Sequence, residues 1–149
     1  MALAAVLAGS PVAPTHAANI NSNAAVCHGE TPSDQSSMAL SSIGVVTFAS
    51  NPFYTWVVCT VPRSPLAAGA TSGSFYVDGN NPAGKSTICA VYAYGWTGLF
   101  LGSSTVNTSD ASYGVLVTLT SGQLGTYTYT SLLCGIPPGG VLRGVTTVQ

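Results

Sequence analysis

Residues 79–94 read "GNNPAGKSTICAVYAY", and how this stretch is read decides the fold. Its first eight letters satisfy the phosphate-loop pattern G-x-x-x-x-G-K-[ST]. Such a loop leaves a strand and opens a helix, whose N-terminal amides and dipole hold phosphate. A strand-like run, "SFYVD" (74–78), does precede it. The residues after Lys85 do not favour a helix. Ile88 and Val91 are β-branched, Tyr92 and Tyr94 are aromatic, the pattern alternates, and Gly95 ends it. These are strand preferences. "DGNNPAG" (78–84) therefore reads as a reversal between antiparallel strands, where Asp-Gly, Asn-Asn and Pro favour a tight turn. No later hydrophobic strand ends in an acidic residue that would hold magnesium. The match predicts a hairpin loop and no nucleotide site.

The same signature extends outward in both directions. Runs rich in Val, Thr, Tyr and Phe lie at 44–49, 53–61, 74–78, 86–94, 99–107, 112–120, 126–136 and 141–149, each bounded by Gly, Pro, Asn or Ser. Their spacing, with no sustained period of 3.6, predicts an all-β protein: an antiparallel β-sandwich of seven to eight strands covering residues 44–149. Alternation in "FYTWVVCTV" (53–61) puts Thr55, Val57, Cys59 and Val61 on one, inward face and Tyr54, Trp56 and Val58 on the other. In "TYTYT" (126–130), Tyr127 and Tyr129 share a face opposite three threonines, and the threonine face reads as the solvated one. Residues 18–43 are polar and rich in turn formers, a loop-rich lead-in rather than a second domain.

Charge is nearly absent. Lys and Arg together number 3 and Asp and Glu 4 in 149 residues, where about a quarter charged is usual. Without cationic side chains, nucleic-acid binding loses its driving term. A surface near neutrality also removes the repulsion that keeps copies apart, which favours self-association. Chemistry is equally thin. There is no G-x-S-x-G elbow, and a hydrolytic carboxylate pair would have to come from Glu30, Asp34, Asp78 and Asp110. No catalytic, cofactor or metal residues are assigned, and the chain reads as a non-enzyme. Tyr92, Tyr94 and Trp96 are of the type that stacks on sugars, although strand aromatics more often serve packing. "NTS" (107–109) is a formal glycosylation acceptor.

The four cysteines, Cys27, Cys59, Cys89 and Cys134, stand about thirty residues or more apart, unlike clustered zinc ligands. They read as two disulfides in an oxidising compartment, worth about 3–4 kcal/mol each by chain entropy. Of three connectivities, Cys27–Cys59 with Cys89–Cys134 is preferred. Cys89 and Cys134 fall mid-strand on inward positions, as an inter-sheet bridge would, and Cys27 then tethers the lead-in.

Residues 1–17, "MALAAVLAGSPVAPTHA", have two readings. One is a secretion signal, which lacks its positive n-region because the first Lys or Arg is Arg63. The other is a retained donor segment. Extended, Met1, Leu3, Ala5 and Leu7 share a face, and Val6 adds apolar surface that calls for burial. Added to a neighbour's open sheet edge, the segment would build a head-to-tail filament.

The pattern from Cys27 to Gln149 resembles a loose group of secreted bacterial β-proteins with four cysteines. The residues that carry the likeness are "VVCTVPR" (57–63), "FYVDG" (75–79), "TICAVYAY" (87–94) and above all "YTSLLCGIPPGGVLRGVTTV" (129–148). The group's pattern is "V-x-C-P", whereas here two residues separate Cys59 from Pro62. The resemblance implies secretion, β-structure and disulfides, and no site. The function expected is an extracellular structural subunit that self-assembles by strand donation; the alternative is a secreted adhesion or carbohydrate-binding module, with surface glycans as partners.

Overall fold

The computed structural model describes residues 19–61, 72–124 and 128–148. Within these residues the chain forms β1 (Ile20–Asn23), β2 (His28–Gly29), α1 (Pro32–Ser36), β3 (Met38–Ser41) and β4 (Gly44–Thr47). It continues through β5 (Thr55–Thr60), β6 (Ser72–Asn80), β7 (Thr87–Tyr94), β8 (Phe100–Thr108), β9 (Ser112–Thr120), β10 (Tyr129–Ile136) and β11 (Val141–Val148). Every one of the eight β-type runs holds a strand.

Two antiparallel sheets face each other. The back sheet has the order β3-β4-β11-β6-β9, with β1 also on β11, and the front sheet the order β2-β5-β10-β7-β8. Orders 4-11-6-9 and 5-10-7-8 are those of a jelly roll, in which the chain repeatedly crosses from one sheet to the other. The all-β sandwich is therefore present. The loop after Asp78, however, is not a hairpin. β6 belongs to the back sheet and β7 to the front, so residues 81–86 carry the chain across the sandwich. Buried Asn81 holds the crossing: its Nδ2 donates to the carbonyls of Thr108 and Asp110 at 3.0 Å each, and its Oδ1 accepts from Thr87 Oγ1 at 2.6 Å. Lys85 opens onto strand β7 and not onto a helix, so no helix N-terminus stands there to receive phosphate.

The core lies between the sheets. Phe75, Val77, Val117, Leu119 and Leu142 come from the back, Val57, Val91, Leu132 and Ile136 from the front, all essentially solvent-free. Thr55, Val57, Cys59 and Val61 are buried in line with the alternation of that run. Apolar burial of this kind contributes roughly 1.5–3 kcal/mol per large side chain.

The disulfides join Cys27 to Cys59 and Cys89 to Cys134. The second is not the inter-sheet bridge expected. Cys89 and Cys134 sit directly opposite each other on β7 and β10 of the front sheet, with Cα atoms 4.1 Å apart, the close spacing of a non-hydrogen-bonded pair. Both side chains do face the core, but neighbouring strands bring them together rather than facing sheets.

The lead-in also differs from a loop. β1 pairs with β11, β2 with β5 and β3 with β4. Sequences such as "INSN" have little strand preference of their own; edges already built by stronger strands template them. β11 is flanked on one side by β6 and on the other by β4 and β1 in succession, so among the described residues its flanks are filled by the same chain. Leu3, Ala5, Val6 and Leu7, the expected donor residues, lie outside the described residues.

The Cys89–Cys134 bond closes a 45-residue separation, which corresponds to about 4 kcal/mol of chain entropy. The double variant Cys89→Ala/Cys134→Ala should lose stability on that scale in denaturant unfolding, while retaining its far-UV strand spectrum.

Candidate functional site

Alternation that buries one face of the front sheet turns the other outward, and register lines up its side chains. One row across the strands runs Trp56, Gly135, Ile88 and Asn107; another runs Thr60, Ser131, Tyr92 and Ser103; a third runs Tyr129, Tyr94 and Phe100. β5, β7, β8 and β10 contain no Asp, Glu, Lys or Arg at all. Between the first two rows runs a largely apolar one, Val58, Leu133, Ala90 and Thr105. The face is thus aromatic at both ends, apolar across its middle, and carries hydroxyl side chains at Thr60, Ser131, Ser103 and Thr105.

The end around the β7–β8 turn is the more open. Tyr94 and Phe100 rings stand 5.7 Å apart in a tilted pair, and Tyr129 is beside Tyr94 in register. Trp96 projects from the turn between the strands, which is closed by Gly95 N donating to Leu99 O at 2.7 Å. Gly98 adopts φ +82° there, a left-handed conformation that favours glycine. Trp96 is 73% exposed, Tyr129 67% and Leu99 65%. Large aromatic side chains left in water together mark an interaction surface.

The opposite end is built around Trp56. Its indole lies across Gly135: a Cβ on that glycine would sit 2.9–3.1 Å from three indole ring carbons. Tyr54 flanks it with ring centroids 6.5 Å apart. Beyond the end of β2, the backbone of Trp56 is held by the lead-in. Its N–H donates to Asp34 Oδ1 at 2.8 Å, and its carbonyl accepts from Glu30 N at 2.9 Å.

Of the three sugar-stacking candidates, Tyr92 and Tyr94 lie on this face and Trp96 at its rim. Phe100, Tyr129 and Trp56 belong with them. Tyr129 reverses an expectation, since it faces solvent while Thr130 leans inward, half-buried. Cys134 and Leu132 must face the core, and counting back by twos turns Thr130 in and Tyr129 out; the parity was readable from the cysteine. Of the four acids, Glu30 and Asp34 come from the lead-in to the backbone of Trp56, Glu30 through its own N–H, and Asp110 lies in the loop between β8 and β9. Asp34 is engaged in capping α1 and binding Trp56, and Asp78 stands on the outer side of the back sheet, between Gly114 and Gly144 in register. Among the described residues no group of three His, Cys, Asp or Glu side chains is placed to hold a metal ion.

No family model and no curated protein matches the chain. Among solved structures, the CBM36-1 domain of a multidomain xylanase from the hindgut metagenome of Trinervitermes trinervoides is similar over 89% of this chain and 98% of its own, with a TM-score of 0.51 and 9% identity. The xylan-binding module CBM15 is similar over 89% of this chain and 96% of its own, with a TM-score of 0.53 and 16% identity. At these identities the likeness is one of fold.

Burial raises the carboxyl pKa of Asp78 above its ordinary value. A raised folded-state pKa means that its contribution to stability is present at low pH and lost as the pH rises through the carboxylate range. Asp78→Asn should therefore raise the melting temperature at pH 7 and leave it unchanged near pH 3. Thermal unfolding at the two pH values checks the sign.

Proposed function

We propose that the protein is a secreted carbohydrate-binding domain that holds a neutral glycan against the outer face of the front sheet. The observation that carries this reading is the row of half-buried Tyr94 with exposed Phe100 and Tyr129, and exposed Trp96 in the adjoining turn, on strands β5, β7, β8 and β10 that contain no Asp, Glu, Lys or Arg. A sugar ring has a face of C–H groups and a rim of hydroxyls. The C–H face gains contact area and electrostatic attraction against an aromatic ring, whose π-face is negative. The hydroxyls find donors and acceptors in Ser103, Thr105, Ser131 and Asn107. Stacking also serves single-stranded nucleic acid, but there it works with a cationic groove, and the strands of this face contain no cation.

Two further facts support the reading. The fold is shared with two carbohydrate-binding modules whose names associate them with xylan or xylanase. Two disulfides with no free cysteine among the described residues fit an oxidising, extracellular setting. Assembly into a filament by strand donation, the reading suggested by the uncharged surface, has no observation behind it in the described residues.

Screening against neutral, uronic-acid and sulfated polysaccharides should give retention on neutral glycans. Trp96→Ala should weaken it about tenfold, a change of about 1.4 kcal/mol, while unfolding free energy moves by less than about 0.5 kcal/mol because the side chain is exposed. Absence of any neutral-glycan binding, or a preference for acidic glycans, would sink the reading.

A further inference from the structure

We propose that Trp56 is a second stacking platform on the same face, set in place by Asp34 and Gly135, so that the site takes an extended neutral glycan lying along the strands. The proposal rests on the glycan-binding reading of that face and specifies the form of its ligand.

Gly135 has no conformational need to be glycine, since it is not among the residues with positive φ and sits in regular pairing with both β5 and β7. Glycine inside a strand weakens it and marks a close approach. The group that approaches here is the indole of Trp56, whose ring carbons fill the space a Cβ would need. The aromatic side chain is thereby laid against the sheet, half-buried, as a platform rather than as a core residue.

Asp34 supplies the second constraint. β2 stops at Gly29, paired with Val57; beyond it Glu30 N still donates to Trp56 O at 2.9 Å, which leaves one gap in that edge, at Trp56 N. The Asp34 carboxylate closes it. One oxygen accepts from Trp56 N at 2.8 Å, while the other accepts from Thr31 Oγ1 at 2.6 Å and Thr31 N at 3.2 Å. A charge-assisted bond of this kind is about twice as strong as a neutral one. Because its bond is to the backbone of Trp56, Asp34 is a positioning residue acting through that backbone.

The two platforms are separated by the six residue steps from Ile88 to Tyr94 along β7, about 20 Å at ~3.3 Å per residue. Tyr92, the apolar row of Val58, Leu133 and Ala90, and the hydroxyls of Ser131, Ser103 and Thr105 lie between. A disaccharide reaches one platform only, whereas a chain several sugars long reaches both.

The chain has 2 tryptophans, so Trp96→Phe leaves Trp56 as the sole indole reporter and Trp56→Phe leaves Trp96. The probes are xylobiose and xylohexaose, or the matching oligomers of whichever neutral glycan the screen selects. The Trp96 emission should respond to both lengths, and the Trp56 emission to the longer one only. Asp34→Ala and Gly135→Ala should each abolish the Trp56 response and weaken the long oligomer about tenfold, with the short oligomer's affinity at Trp96 unchanged. Asp34→Asn keeps an oxygen for Trp56 N and should recover part of the loss. The Trp96 response serves as the folding control; if Asp34→Ala fails it, Gly135→Ala, which leaves the lead-in intact, carries the test. A silent Trp56 with the long oligomer bound at Trp96 overturns the second platform and leaves the binding face standing. Silence of both reporters with every neutral glycan removes the binding face itself.

Discussion

The bond between Cys89 and Cys134 sets the parity of the two central strands of the front sheet, and the outer face depends on that parity. With both cysteines turned into the core and directly opposite each other, alternation turns Val91, Ala93, Leu132 and Ile136 inward with them. It equally turns Tyr92, Tyr94 and Tyr129 outward and places Gly135 beside Trp56. A slip of one residue would exchange these sets completely, putting tyrosines into a core sized for valine and leucine. The covalent link thus does more than restrict the unfolded chain: it fixes which side chains the protein shows to its surroundings.

A second constraint is the shortage of charge. Ionic networks are not available to order the loops, so neutral hydrogen bonds hold the points where the chain changes sheet. Asn81 ties the β6–β7 crossing to the β8–β9 loop, and Thr47 Oγ1 donates to the carbonyls of Pro137 and Gly140 at the β10–β11 crossing. Buried amides and hydroxyls of this kind are stabilising only when their partners are present. The same chemistry on the outside leaves serine, threonine and asparagine as the polar groups of the face, which suits the hydroxylated and uncharged ligand proposed for it.

Much of this is legible in the sequence because strand periodicity is strict. The eight β-type runs each contain a strand, and Cys59 alone identifies the inward set on β5. Refuting the phosphate loop needs only the β-branched and aromatic residues after Lys85. Which strands lie side by side cannot be read locally. The 81–86 turn has the composition of a hairpin, and nothing within it says that β6 and β7 belong to different sheets. For the same reason Cys89 and Cys134 can be seen to face inward but not to be neighbours in one sheet. The Tyr129 face reads wrongly from its own residues because threonines on a strand usually face water; the buried Cys134, five residues on, overrules that preference. Trp56 falls on an outward face by alternation, yet its role depends on Gly135, a residue distant in sequence and close only through the β5–β10 register.

The lead-in shows how such distant constraints act on a weakly structured segment. "CHGETPSDQ" (27–35) has few apolar residues, and ordering it costs roughly 1–2 kcal/mol of backbone entropy per residue. Three contacts offset this. The Cys27–Cys59 bond anchors its start in the core, His28 and Gly29 continue from that anchor in register with β5, and the Thr31–Asp34 capping box closes the first turn of α1. Together they bring the Asp34 carboxylate within hydrogen-bonding distance of Trp56. The position of an aromatic ring on the outer face is therefore tied, through one short polar segment, to a disulfide inside the sandwich.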